Sequence, residues 1–154
     1  MNSLIPVTIV TGFLGSGKTT LLSSLIKPKQ NRRLALLINE FGEVAIDGAL
    51  IRDSAAGSDH IRIHDFPHGL IAYSDDDRFI PTLQAIAERR AQVDHVLIET
   101  SGLALPTAIM ALLQTPELAT SFILDATLAI VDTPLLLADE FEGKQTIASP
   151  QAAV

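Results

Sequence analysis

The sequence contains no cysteine, which excludes disulfide bonds and thiolate metal ligands within these 154 residues. Basic residues are few: 11 lysines and arginines against 18 aspartates and glutamates give a net charge of −7. We therefore expect no nucleic-acid partner and no anionic membrane surface, since their phosphates would repel the chain. Apolar runs also stay below membrane-spanning length, because Asp125, Asp132 and Pro134 interrupt the best candidate.

The chain length and a hydrophobic fraction of 47% predict one globular domain with a buried core. The first residues, MNSLIPVTIV, lack the basic leader of a signal peptide and run directly into an apolar strand. We expect a cytoplasmic protein on these grounds.

The segment GFLGSGKT, from Gly12 to Thr19, matches the phosphate-binding pattern G-x-x-x-x-G-K-[ST]. An apolar, β-branched run precedes it, and a helical pattern follows it. Glycines let backbone N–H groups close around phosphate oxygens, and the helix directs its positive dipole end at them. In this pattern Lys18 faces the β/γ-phosphates and Thr19 offers a hydroxyl to Mg²⁺. The alternative is an ordinary glycine-rich turn that contains a lysine by chance.

Strand and helix patterns alternate along the chain, which predicts an α/β fold with parallel βαβ units. The predicted strands are near 4–10, 34–39, 61–66, 94–99 and 123–132, and the predicted helices near 18–27, 77–91 and 104–114. The second of these helices has a core stripe formed by Phe79, Leu83, Ile86 and Ala87.

A second phosphate-side motif is DHVLIETSG, an apolar strand that ends in an acid and a glycine turn. In P-loop proteins an acid at this place holds Mg²⁺, a role that fits Glu99. Gly102 is a candidate for an N–H donor to the γ-phosphate. A solvated glutamate at a strand end is the alternative.

A third segment, NEFGEVAIDG at 39–48, follows the second predicted strand and carries Glu40, Glu43 and Asp47. Ligands of parallel sheets lie at the carboxyl ends of the strands, which favours a switch loop around Mg²⁺ and γ-phosphate. An acidic surface loop is the alternative.

Together, TGFLGSGKTTLL, NEFGEVAIDGALI, ETSGLALP and LDATLAIVD resemble the CobW-like family of P-loop GTPases, often described as metallochaperones. The resemblance implies a SIMIBI-type P-loop NTPase fold with three α/β/α layers and a mostly parallel sheet. It implies Mg²⁺-dependent GTP hydrolysis coupled to delivery of a metal such as Zn or Co to a metalloprotein client. It also implies residue roles: phosphate and Mg²⁺ contacts from Gly12, Gly15, Ser16, Gly17, Lys18, Thr19 and Thr20; γ-phosphate contacts from Glu99 and Gly102; switch residues Glu43 and Asp47.

The chain departs from the family pattern in two ways. Where the family has G-C-x-C-C, this sequence reads GLIAYS, so Leu70, Ala72 and Tyr73 replace the cysteines and we expect no thiolate metal site. The sequence also contains no N-K-x-D guanine motif. We therefore divide the chain into a nucleotide-binding domain at 1–138, corresponding to the first part of the family's GTPase domain, and a frayed or truncated tail at 139–154.

Other metal ligands are conceivable but have simpler explanations. His60, His64 and His68 are spaced by four residues, yet Pro67 and a strand pattern argue against one helical face, which favours solvated histidines. The aspartates at 75–77 fit helix capping better than a metal cluster.

Three functions remain open: a GTPase in which Lys18, Glu43, Asp47 and Glu99 act in catalysis, an ATP-dependent small-molecule kinase, and a non-catalytic nucleotide-binding remnant or scaffold. A kinase lid rich in arginine is disfavoured, because no arginine follows Arg90. An unpaired sheet edge would make the chain marginally stable or dimeric, so a homodimer is a further expectation.

Overall fold

Residues 3–26, 32–39, 61–66, 79–100, 102 and 106–137 are described in this computed structural model of the chain. Their elements follow the order β1 (Ile5–Gly12), α1 (Lys18–Leu25), β2 (Leu34–Asn39), β3 (Ile61–Phe66), α2 (Phe79–Glu88), β4 (His95–Glu99), α3 (Pro106–Leu113), α4 (Pro116–Ala119), β5 (Phe122–Ile130) and α5 (Thr133–Leu137). A short 3₁₀ turn at Arg90–Gln92 links α2 to β4. No helix among the described residues has the length and apolar character that a bilayer crossing requires.

The five strands form one sheet in the order β3-β2-β4-β1-β5, and every neighbouring pair is parallel. In a parallel sheet the carboxyl ends of all strands lie at the same edge, where ligands bind. Because β4 is next to β1, with Val10 paired to Glu99, the acid that ends β4 lies beside the loop that leaves β1.

Apolar side chains cover both faces of the sheet and form a three-layer α/β/α arrangement. On one face, α2, α3 and α4 pack through Phe79, Leu83, Ile109 and Leu118 against alternate strand residues. On the other face, α1 packs through Leu22 and Ile26 against a second set that includes Val10, Leu36 and Leu97. Strands covered on both faces explain the continuous apolar runs of β2 and β4.

The predicted α/β fold is confirmed, with all five described strands parallel. The predicted bounds of β2 and β3 agree with the structure, whereas β1 continues to Gly12 and β5 ends at Ile130. The stripe on α2 is confirmed, since Phe79, Leu83 and Ile86 are buried and Ala87 packs beside them. The short helices α4 and α5 were not predicted, because four or five residues are too few to show a helical period.

Candidate functional site: a phosphate-binding loop beside the end of β4

Three glycines have positive φ: Gly12 at the end of β1, and Gly15 and Gly17 in the loop that leads to α1. Residues with a Cβ adopt this conformation only at a cost in free energy. Gly17 has φ 99° and is the N-cap residue of α1. Gly12 has φ 148°, and a Cβ there would lie 2.3 Å from the carbonyl oxygen of Ile130 on β5. The glycines of the motif are therefore required by the path of the backbone, independently of any ligand.

Lys18 is the first residue of α1, and its side chain is nearly buried at 7% exposure. Its ammonium group donates hydrogen bonds to the carbonyl oxygens of Gly12 at 2.9 Å and Phe13 at 3.1 Å. The positive charge of Lys18 therefore lies against the backbone carbonyls at the start of the loop.

Thr19 and Glu99 come together from positions 80 residues apart in sequence. The Thr19 hydroxyl donates a hydrogen bond to Glu99 Oε1 at 3.2 Å, and Glu99 is 4% exposed. A hydroxyl and a carboxylate oxygen are the hard ligands that Mg²⁺ takes from proteins. The chemistry of this donor pair fits a magnesium ion.

The remaining residues of the motif differ in exposure. The Ser16 hydroxyl is buried and has no hydrogen-bond partner among the described residues. Thr20 is exposed on the first turn of α1, and its carbonyl oxygen accepts a hydrogen bond from Ser24. Gly15 has φ 78° and open space around its Cβ position. The Ser16 hydroxyl lies next to Gly12, since a Cβ at Gly12 would be 2.8 Å from its oxygen.

Gly102 packs against the backbone of the loop, where a Cβ on Gly102 would be 2.6 Å from the nitrogen of Leu14. Between Glu99 and Gly102, the Thr100 hydroxyl donates a hydrogen bond to the Thr11 hydroxyl at 2.9 Å. The sequence motifs did not single out this pair of threonines. The position of Thr100 directly after the acid was the available signal.

The structure brings together the candidate residues Gly12, Gly15, Ser16, Gly17, Lys18, Thr19, Thr20, Glu99 and Gly102 at the carboxyl edge of β1 and β4. The candidate switch residues Glu43 and Asp47 lie outside the described residues, as do Leu70, Ala72, Tyr73 and the segment 139–154. No group of three or more potential metal ligands occurs in the part of the chain that is described.

His95 lies at the opposite end of β4 and is half-buried, with a 2.8 Å hydrogen bond between its Nε2 and the Thr8 hydroxyl. Burial lowers the pKa of His95, and the charge of Asp125 opposes that shift. This hydrogen-bonded histidine belongs to the packing of β1 against β4 and lies at the opposite end of the strand from the loop.

A glycine loop between a parallel strand and a helix, with a buried lysine at the start of the helix and an acid on the neighbouring strand, defines the P-loop nucleotide-binding proteins. Residues 6–154 match the CobW/HypB/UreG nucleotide-binding domain, and the chain belongs to this family. The resemblance inferred from the sequence motifs is therefore confirmed.

Three related proteins are similar to this chain in sequence or structure over nearly its whole length. The zinc chaperone CobW of Pseudomonas aeruginosa is 39% identical over 141 residues, which cover 89% of this chain and 38% of that protein. The zinc chaperone YeiR of Escherichia coli K12 is 38% identical over 146 residues, which cover 94% of this chain and 43% of that protein. The Zn(II)-bound YjiA GTPase from E. coli has a TM-score of 0.62 and 27% identity over 95% of this chain and 45% of its own. The chain thus spans less than half the length of these relatives.

Proposed function

We propose that this chain binds Mg²⁺–GTP at the loop Gly12–Thr19 and hydrolyses it by attack of water on the γ-phosphate. The contact of the buried Glu99 carboxylate with the Thr19 hydroxyl, beside the buried Lys18, is the observation that carries the proposal. Family membership and the similarity to a GTPase support it.

Each residue has a defined part in this proposal. The loop amides and Lys18 bind phosphate oxygens, for which Lys18 exchanges the neutral carbonyl acceptors of Gly12 and Phe13 for anionic ones. Thr19 and Glu99 hold Mg²⁺, which supplies charge neutralisation on the phosphates when bound. Gly102 contributes its N–H near the γ-phosphate, and Glu43 or Asp47 orients the attacking water.

Titration of GTP and ATP against the wild-type chain and Lys18→Ala tests the binding step. We expect the substitution to weaken binding at least about 100-fold, because it removes a buried cation from an anion site. Lys144→Ala, outside the phosphate motif, is the matched control. Equal affinity of wild type and Lys18→Ala would refute the site. Since the sequence has no N-K-x-D motif, GTP and ATP should bind with similar affinity.

Product analysis with labelled GTP and ATP separates the three candidate activities. Release of phosphate to water supports the GTPase, transfer to a small molecule supports the kinase, and binding without turnover supports the non-catalytic remnant. For the GTPase, Glu99→Gln should reduce turnover at least tenfold, and Glu43→Gln and Asp47→Asn identify the residue that orients water. Unchanged turnover in Glu99→Gln would remove Glu99 from the proposal.

By similarity to zinc chaperones, we propose that the whole protein passes a metal ion to a metalloprotein client. This chain contains no cysteine, so any cargo site formed by its residues has no thiolate ligands. Metal analysis of untagged protein should find less than one Zn or Co per chain. One tightly bound ion that is lost in His64→Ala/His68→Ala would instead establish a histidine site.

We also propose a homodimer through the edge of β5 that has no neighbouring strand among the described residues. Exposed apolar side chains on this strand include Ile123 at 51% and Leu128 at 39%. An antiparallel copy of β5 beside this edge would extend the sheet by backbone hydrogen bonds and would cover part of the exposed side chains of Leu124 and Leu128. Burial of these leucines, together with backbone pairing, favours the dimer.

Sedimentation measures the dimer, and Leu128→Lys should shift it to monomer. Leu137→Lys is the control, since Leu137 is 79% exposed on α5, off the strand. A clean wild-type monomer with a cooperative melt well above about 60 °C would contradict both the dimer and the expected marginal stability.

A further inference from the structure

The segment that leaves β4 touches the phosphate-binding loop at three successive points. Glu99 accepts the hydrogen bond from Thr19, Thr100 bonds to Thr11, and Gly102 lies against the backbone of Leu14. The first contact reaches the start of α1, the second the end of β1, and the third the loop between them. The segment from Glu99 to Gly102 therefore contacts both ends and the middle of the loop.

Thr100 is the most completely buried of the three residues that make these contacts. It is 0% exposed, its backbone N–H donates to the Val10 carbonyl oxygen at 2.9 Å, and its hydroxyl donates to Thr11 at 2.9 Å. The last regular pair between β1 and β4 is Val10 with Glu99, so Thr100 continues the pairing by one residue with a side-chain bond. A buried hydroxyl without a partner costs free energy, so this bond selects one relative position of the two strand ends.

We propose that Thr11 and Thr100 form a positioning pair that holds Glu99 against Thr19 and Gly102 against the loop. The pair acts through its neighbours and touches no ligand itself. When the hydroxyl bond is absent, the strand ends shift relative to each other, and the acid and the loop lose their alignment. A displacement of about 1 Å at such a site reduces a reaction rate on the order of 100-fold. Its effect on turnover depends on the proposed nucleotide function, whereas its effect on the loop does not.

Thr100→Val removes the hydroxyl with little change of shape, and Thr100→Ser keeps the hydroxyl. We expect Thr100→Val to raise the Mg²⁺ concentration for half-maximal hydrolysis at least tenfold, with affinity for nucleotide in EDTA changed less than twofold. Thr100→Ser should restore most of the loss. Thr11→Val, at a half-buried position, should reproduce the effect if Thr100→Val fails to fold.

Thr8→Val is the matched control, because Thr8 is also on β1, is 7% exposed and has its own side-chain bond to β4, through His95. A general loss of stability would affect both valine variants alike. Only the positioning role predicts a change in Mg²⁺ dependence for Thr100→Val and none for Thr8→Val.

Hydrogen exchange in nucleotide-free protein tests the positioning role of Thr11 and Thr100 even if the chain binds no nucleotide. The Ser16 amide, bonded to the Phe13 carbonyl oxygen, reports on the loop, and the Ile26 amide, bonded to Leu22, reports on the rest of α1. Thr100→Val should accelerate exchange at Ser16 at least tenfold relative to Ile26, and Thr8→Val should not. Equal behaviour of the two variants at Ser16 would overturn the proposal. Absence of nucleotide binding by the wild type would overturn the proposed function only.

Discussion

β4 and β5 flank β1 on its two sides, run in the same direction and are both rich in apolar residues, yet their burial differs. From Val96 to Glu99 every residue of β4 is buried, whereas the side chains of β5 are mostly exposed after Phe122. β4 has β1 on one side and β2 on the other, and β5 has one neighbour among the described strands. The comparison teaches that burial of a strand follows from its neighbours more than from its own composition.

The two strands also contribute differently to the loop. The end of β4 supplies side chains, through Glu99 and Thr100, while the end of β5 contacts it through backbone, where Ile130 pairs with Gly12. A carboxylate placed in the covered part of the sheet interacts more strongly with a cation than one in water. The proposed chemistry thus lies on the side of β1 that faces the buried strand β4.

The largest expected effect comes from removing a side chain on β4. Ile98→Ala should reduce the free energy of unfolding by about 2–5 kcal/mol, because Ile98 is 0% exposed and leaves a cavity in the core. In the monomer, Leu128→Ala on β5 should lower the free energy of unfolding by less than about 1 kcal/mol, because that side chain is 39% exposed in the single chain. Urea unfolding of both variants measures the difference. Similar losses would mean that β5 is covered in solution.

A smaller effect is expected at the two glycines that differ in their contact with β5. Gly15→Ala should cost about 1 kcal/mol, since its positive φ is strained but its surroundings are open. Gly12→Ala should cost about two to three times as much, because the new Cβ also meets the Ile130 carbonyl oxygen.

Thermal unfolding measures the stability of the two glycine variants relative to wild type. Hydrogen exchange at the amides of β5 shows whether the new Cβ displaces this strand. If Gly12→Ala lowers the free energy of unfolding no more than Gly15→Ala does, the end of β5 is free to move away from the loop.

The smallest effect is expected at the start of β4, where Asp94 accepts hydrogen bonds from the side chain and the backbone N–H of Arg33. These bonds lower the pKa of Asp94 to about 2. A carboxyl whose pKa is lowered on folding stabilises the protein above its unfolded pKa, about 3.9. That contribution is lost as the pH falls towards 2. Partial exposure keeps it small.

Unfolding of wild type and Asp94→Asn at about pH 6, 4 and 2.5 checks the sign of this contribution. The difference in unfolding free energy should shrink steadily on acidification, with the exposed Glu117→Gln as control. A difference that is constant with pH would show that the ion pair does not form in solution.

Most of the fold was predictable from contiguous residues. The apolar runs of β2 and β4 and the stripe on α2 report burial directly, because side-chain periodicity follows the backbone geometry. The residues of the loop were predictable for a similar reason, since the positive φ values at Gly12, Gly15 and Gly17 require glycine. The contact of Thr100 with Thr11 was not predictable, because 89 residues separate them and no local pattern specifies their encounter.

By itself, the sequence determined a P-loop between strand and helix, an alternating α/β chain and an acid at the end of one strand. Steric preferences and hydrophobic periodicity act between near neighbours, so these features can be read from short segments. The tertiary structure decided that β4 lies beside β1, which of the two flanking strands is buried, and that Glu99 meets Thr19. The reason is physical: strand order results from the packing of all layers at once, and no single segment carries that information.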